Sequence, residues 1–165
     1  MNNTAFFLLQ DGTCTSSCPA STYIANVNGN RHCLPCHTTC SSCADDPAAD
    51  KCTACVANLF RSSDTTNFSC LIACPSDHYS INGTCFPCHT SCSSCAGAGE
   101  TRCTSCPAGK LKSQNGSEFE CIASCPEFFY NSNNTVCLPC STNCGACSGS
   151  NANECTSCKA TFLKT

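Results

Sequence analysis

The stretch Cys33-Leu34-Pro35-Cys36-His37-Thr38-Thr39-Cys40-Ser41-Ser42-Cys43 decides how this chain is read. Its four-cysteine spacing returns at Cys85, Cys88, Cys92 and Cys95, and again at Cys137, Cys140, Cys144 and Cys147. Working outward, each run grows to eight cysteines. The first set is Cys14, Cys18, Cys33, Cys36, Cys40, Cys43, Cys52 and Cys55. The second is Cys70, Cys74, Cys85, Cys88, Cys92, Cys95, Cys103 and Cys106. The third is Cys121, Cys125, Cys137, Cys140, Cys144, Cys147, Cys155 and Cys158. Every set reads C-x3-C-x(10–14)-C-x2-C-x3-C-x2-C-x(7–8)-C-x2-C, and 14 residues separate Cys55 from Cys70 and Cys106 from Cys121. The second cysteine of each set is followed by Pro19, Pro75 or Pro126, and five residues after it stands Tyr23, Tyr79 or Tyr130, the only tyrosines present. Self-similarity at a fixed period marks a repeat protein. The expected division is residues 14–69, 70–120 and 121–165, with residues 1–13 closing a preceding, truncated repeat. The tail from Lys159 resembles the start of the linker at Val56, and the head around Phe7 resembles a linker's end. A window cut from a longer array is therefore expected, its third repeat truncated in the final linker.

Composition agrees with small, cross-linked units. Cysteine supplies 24 of 165 residues, well above the roughly 8–10% that marks a disulfide scaffold. Leu, Ile, Val and Phe together also number only 24, below the roughly 20% of an ordinary packed core. A globular enzyme domain around one apolar interior is thus excluded. The cytosol would reduce such cross-links, so the reading is extracellular or cell-surface, by way of the secretory pathway. Net charge is −3 and charged residues make up 12%, which argues against nucleic acid as a partner. The apolar run Ala5-Phe6-Phe7-Leu8-Leu9 has neither the basic flank nor the cleavage site of a signal peptide. No stretch approaches the roughly 20 apolar residues of a membrane span.

Helical periodicity is absent, whereas hairpin dipeptides stand out at Asn28-Gly29, Asn82-Gly83 and Asn115-Gly116. Tyr23 to Ala25 and Arg31 to Cys33 read as short strands around the first of these. The 14-residue linkers read as hairpins too. Each repeat is expected to hold two cysteine-bounded hairpins and a knot of close cysteines.

This pattern resembles the furin-like repeat of growth-factor-receptor cysteine-rich regions. The matching elements are Cys-Pro-x3-Tyr, the hairpin to Cys33, and the run from Cys36 through Cys55. Low charge with abundant Ser, Thr, Ala and Asn is similar in style to protist surface proteins, such as ciliate immobilisation antigens and variant surface proteins. The resemblance implies a small disulfide-rich β fold, an elongated tandem array of short hairpins with almost no helix. It also implies the pairings Cys18–Cys33, Cys36–Cys43, Cys40–Cys52 and Cys55–Cys70 in the first repeat. For the second it implies Cys74–Cys85, Cys88–Cys95, Cys92–Cys103 and Cys106–Cys121. For the third it implies Cys125–Cys137, Cys140–Cys147 and Cys144–Cys155, leaving Cys14 and Cys158 unpaired within the segment.

The same residues bear on rival chemistries. Zinc knuckles sit about 15–20 residues apart, but here the C-x2-C pairs are separated by three and by seven or eight. A redox dithiol at Cys-Leu-Pro-Cys lacks the helix that lowers a thiol pKa. His37 and His89 recur, but the third repeat has Ser141 there, and His32 and His78 are single. Asp45, Asp46 and Asp50 are interrupted by Pro47 and read as a solvated loop. No catalytic residue, metal or cofactor is assigned. Glycosylation sequons begin at Asn2, Asn67, Asn82, Asn115 and Asn133, four of them in predicted hairpins.

Repetition without a unique site points to a non-enzymatic extracellular rod, spacer or coat in a cell-surface protein or filament. Its expected partners are neighbouring repeats, copies of itself and N-linked glycans. The alternative is a ligand-binding or adhesion module for an extracellular ligand, with Phe128-Phe129 before Tyr130 as the distinctive feature.

Overall fold

The computed structural model describes residues 6–63, 66–114 and 116–159. Its strands are short and its only helical turns, among the described residues, are the 3-10 segments Glu100–Arg102 and Ala152–Glu154. The fold is thus a small disulfide-rich β structure built from tandem hairpins. Two compact units are distinguished: the chain up to Pro75 together with Ser80–Phe86, and Ser76–Tyr79 together with the chain from Pro87.

In the first unit, Thr22–Val27 and Asn30–Pro35 pair antiparallel from Thr22↔Pro35 to Val27↔Asn30. Between them Asn28 and Gly29 have φ of 50° and 83°. Two consecutive positive φ values define the type I′ turn, whose twist matches that of the flanking strands. The strands outrun the expected Tyr23–Ala25 and Arg31–Cys33, because the pairing continues to the turn and past Cys33. The preceding short hairpin, Phe7–Leu8 with Cys14–Thr15, does not stand alone. Leu8 bridges His32 in parallel, giving a four-stranded sheet.

The same order recurs. Phe60–Arg61 pairs with Cys70–Leu71, and Arg61 bridges Thr84 in parallel. Leu111–Lys112 pairs with Cys121–Ile122, and Lys112 bridges Val136. Each linker hairpin therefore merges with the hairpin that follows it into one sheet. The turn at Asn82-Gly83 repeats the positive φ pair, 49° and 75°. The third hairpin turns through Asn133 and Asn134 at 53° and 56° without glycine. Asn115-Gly116 lies partly outside the described residues.

The cysteine knots are ordered as well. Cys40–Cys43 pairs with Cys52–Cys55, Ser94–Cys95 with Cys103–Ser105, and Cys144–Cys147 with Cys155–Cys158. All three ladders carry a register irregularity. In sequence this segment reads only as a knot of close cysteines. A bulged ladder of three or four residues has no alternation long enough to be seen in sequence.

Candidate functional site: the cystine core and the hairpin tips

Eleven disulfides cross-link the chain. In the first repeat they are Cys18–Cys33, Cys36–Cys43, Cys40–Cys52 and Cys55–Cys70. In the second they are Cys74–Cys85, Cys88–Cys95, Cys92–Cys103 and Cys106–Cys121. The third holds Cys125–Cys137, Cys140–Cys147 and Cys144–Cys155. Cys14 and Cys158 are exposed free thiols. Every bond joins residues 7 to 15 apart in sequence. Such cross-links persist in an oxidising compartment, so the chain is a disulfide-rich module of the extracellular kind.

The cystines are also the core. Cys40, Cys52 and Cys70 are buried around Phe68, with Cys36, Cys43, Cys55 and Leu59 packed against them. Cys92, Cys103 and Cys121 surround Phe119 in the same way. No polar or charged residue is buried among the described residues. Sulfur therefore takes the place that aliphatic side chains hold in a larger domain.

Sequence reasoning missed the phenylalanines. Phe68 and Phe119 each stand two residues before the first cysteine of a set, and that repetition was visible. Their backbones clamp the linker onto the knot. Cys52 and Phe68 exchange N–H to C=O bonds of 3.2 and 3.1 Å, and Cys103 and Phe119 exchange two of 3.0 Å. Over each ring sits a cation from the linker's first strand: Arg61 at 4.1 Å from the Phe68 centroid and Lys112 Nζ at 4.8 Å from that of Phe119. The same cationic residues hold the next hairpin. The Arg61 N–H donates to the Gly83 carbonyl at 2.8 Å, and the Lys112 N–H to that of Thr135 at 2.9 Å. A linker thus ties the knot before it to the hairpin after it.

The remaining candidates are local structural parts. His37 Nδ1 accepts the Thr39 backbone N–H at 3.3 Å and meets its hydroxyl at 2.8 Å; His89 and Ser91 do the same at 3.3 and 2.7 Å. These histidines cap the turn that leads into Cys40 and Cys92. Asp46 accepts the Ala48 N–H at 2.8 Å, closing the loop that also holds Asp45 and Asp50. His78 Nδ1 lies 2.8 Å from Asp77 Oδ1, and the hydrogen bond from His78 lowers the Asp77 carboxyl below its ordinary 3.8. His32 sits in the strand opposite Ala25. Among the described residues no group of three or more His, Cys, Asp or Glu is placed to hold a metal ion. No helix among them is long and apolar enough to cross a membrane.

The pair Phe128-Phe129 is divided by the backbone. Phe128 is exposed at φ 70°, with Lys159 Nζ at 5.2 Å from its ring, while Phe129 is half-buried at the start of a strand opposite Pro139. The Phe128 carbonyl accepts the Cys140 N–H at 2.8 Å, the bond that Ser21 and Asp77 make to Cys36 and Cys88 at 2.9 and 2.8 Å. The sequons differ in presentation. Asn82 and Asn133 are exposed at equivalent hairpin tips, whereas Asn67 is half-buried beside Phe68. Asn2 and Asn115 lie outside the described residues.

No family model matches the chain. It is similar to Furin-like protease 2 of Drosophila melanogaster, 34% identical over 136 residues, covering 81% of the chain and 7% of that protein. It is similar to Cysteine repeat modular protein 2 of Tetrahymena thermophila, 28% identical over 178 residues, covering 92% of the chain and 9% of that protein. Extracellular matrix organizing protein FRAS1 of Homo sapiens is 39% identical over 90 residues, 54% of the chain and 2% of its own length. The chain spans less than a tenth of each of these relatives.

Proposed function

We propose, for a chain that is a run of furin-like cysteine-rich repeats, that it is a non-enzymatic structural segment, an elongated spacer or coat in a cell-surface protein or extracellular filament. One observation carries the reading: all eleven disulfides close loops of 7 to 15 residues. Each repeat, taken as residues 14–69, 70–120 and 121–165, is then stapled to itself and to its neighbours alone. Stability becomes a sum of local terms, and length is gained by adding units. Its partners are adjoining repeats or further copies, and N-linked glycans at Asn82 and Asn133 above all, with Asn67, Asn115 and Asn2 completing the set.

Small-angle scattering tests the shape. A compact chain of this length has a radius of gyration of about 15 Å, so a value well above that supports the spacer and a value near it overturns the reading. Intact mass of protein secreted from glycosylating cells tests the glycans. A mass of 17.2 kDa, that of the bare chain, would remove them.

A second reading, a ligand-binding or adhesion module, is favoured by Phe128 alone. The matching position of the first repeat, Ser21, also has a positive φ, 61°, so what sets the third repeat apart is a bulky exposed ring at a turn position that bulky residues seldom occupy. Loss of binding to a candidate extracellular ligand on changing Phe128 and Phe129 to Ser would support it.

A further inference from the structure

The first hairpin differs from its two counterparts in the length of the pairing edge it presents. Its outer strand, Thr22–Val27, runs six residues, against four for His78–Ile81 and Phe129–Ser132. Like those two strands, it is the outermost of its sheet. Val27 faces Asn30 across a two-residue turn, so Val27, Ala25 and Tyr23 bond inward to the neighbouring strand. The N–H and C=O groups of Thr22, Ile24 and Asn26 then point away from the sheet, by the alternation of antiparallel pairing. Thr22-Tyr23-Ile24-Ala25-Asn26-Val27 contains no charge, Pro or Gly, the composition that pairs edge to edge. Ile24 is 49% exposed. The tip differs too. Asn82-Gly83-Thr84 and Asn133-Asn134-Thr135 are sequons, but Asn28-Gly29-Asn30 is not. A glycan would shield the second and third edges, and the first is built without one.

We propose that Thr22–Val27 is a dimerisation edge, paired antiparallel with the same strand of a second copy about a twofold axis at Ile24. The outward groups lie symmetrically about that residue. A twofold axis there sets Ile24 against Ile24 and Thr22 against Asn26, so every outward backbone group of the three finds a partner. The interface is isologous, closing at two copies. It places an apolar cross-strand pair at its centre with polar pairs on either side and no like charges opposed. Arg31, opposite Asn26 on the inner strand, is directed to the Phe7 ring at 5.7 Å.

Sedimentation equilibrium of the intact chain, with Cys14 and Cys158 alkylated to prevent thiol cross-linking, tests the pairing. The mass is expected to double from 17.2 kDa as concentration rises from micromolar to millimolar. Ile24→Lys is expected to stay monomeric throughout, and Ser80→Lys, at the matching place in the second hairpin, to dimerise like the parent. A monomer at every concentration, a dimer indifferent to Ile24→Lys, or equal loss in Ser80→Lys overturns the proposal. Should Ile24→Lys misfold, shown by more reactive thiols than Cys14 and Cys158, the parent decides by hydrogen exchange. Amide protection at Ile24 and Asn26 that grows with concentration supports the edge, and protection independent of concentration refutes it.

Discussion

The guanidinium of Arg61 lies 4.1 Å from the centre of the Phe68 ring, closing the lid on a core that is otherwise cystine sulfur and Leu59. With so few apolar residues, each phenylalanine carries an outsized share of burial. Phe68→Ala and Phe119→Ala are each expected to lose about 3–5 kcal/mol, the usual cost of emptying a buried aromatic site. Arg61→Ala should lose less, about 0.5–2 kcal/mol for the cation–π contact. Denaturant unfolding with the disulfides intact measures both, and equal losses would contradict this division.

The bridges differ in loop length and in burial. Replacing Cys92 and Cys103 together by Ala opens an 11-residue closure in the core, while Cys88 and Cys95 close only 7. Loop entropy alone assigns each about 2–3 kcal/mol. The Cys92–Cys103 pair should cost more, because both sulfurs are buried against Phe119 and leave a cavity. A smaller loss for Cys92–Cys103 would place the core elsewhere.

Gly29 sits at φ 83° with open space around it, so conformation and not crowding sets the cost of change. Gly29→Ala is expected to lose about 1–2 kcal/mol, the penalty of a left-handed L-residue. Gly29→Asn should lose less, since Asn134 already holds φ 56° in the third hairpin. Thermal unfolding of the two variants ranks them.

Asp77 gives a pH signature. Its folded pKa is depressed by the hydrogen bond from His78. The stabilisation is therefore present above the unfolded value of about 3.9 and is lost as pH falls through the lower folded value. Carboxyl NMR should place the Asp77 midpoint below 3.8, and His78→Ala should return it towards that value.

Reduction and chelation should act oppositely. A thiol reductant is expected to unfold the chain, because the cystines are its core, while a strong chelator should leave its circular dichroism unchanged. Before reduction, thiol titration should count two groups, Cys14 and Cys158. More than two, or a chelator-induced loss of structure, would assign sulfur another role.

Much of the fold was legible in order along the chain. The threefold cysteine spacing, the Asn-Gly turns and the shortage of aliphatic residues set a small disulfide-rich β repeat needing an oxidising compartment. These signals are local, acting through steric preferences at single residues and loops of a few, so they survive without a view of the whole. Spacing by itself could not say which sulfur meets which, because several partners lie at similar chain distances. Tertiary structure decided the parallel bridges Leu8↔His32, Arg61↔Thr84 and Lys112↔Val136. It decided that Phe68 and Phe119 are buried while Ile24 and Phe128 are exposed. Two-residue strands carry no hydrophobic alternation of their own, and a lone aromatic has no period. Where such groups come to rest is settled only when the cross-links and the neighbouring backbone close around them.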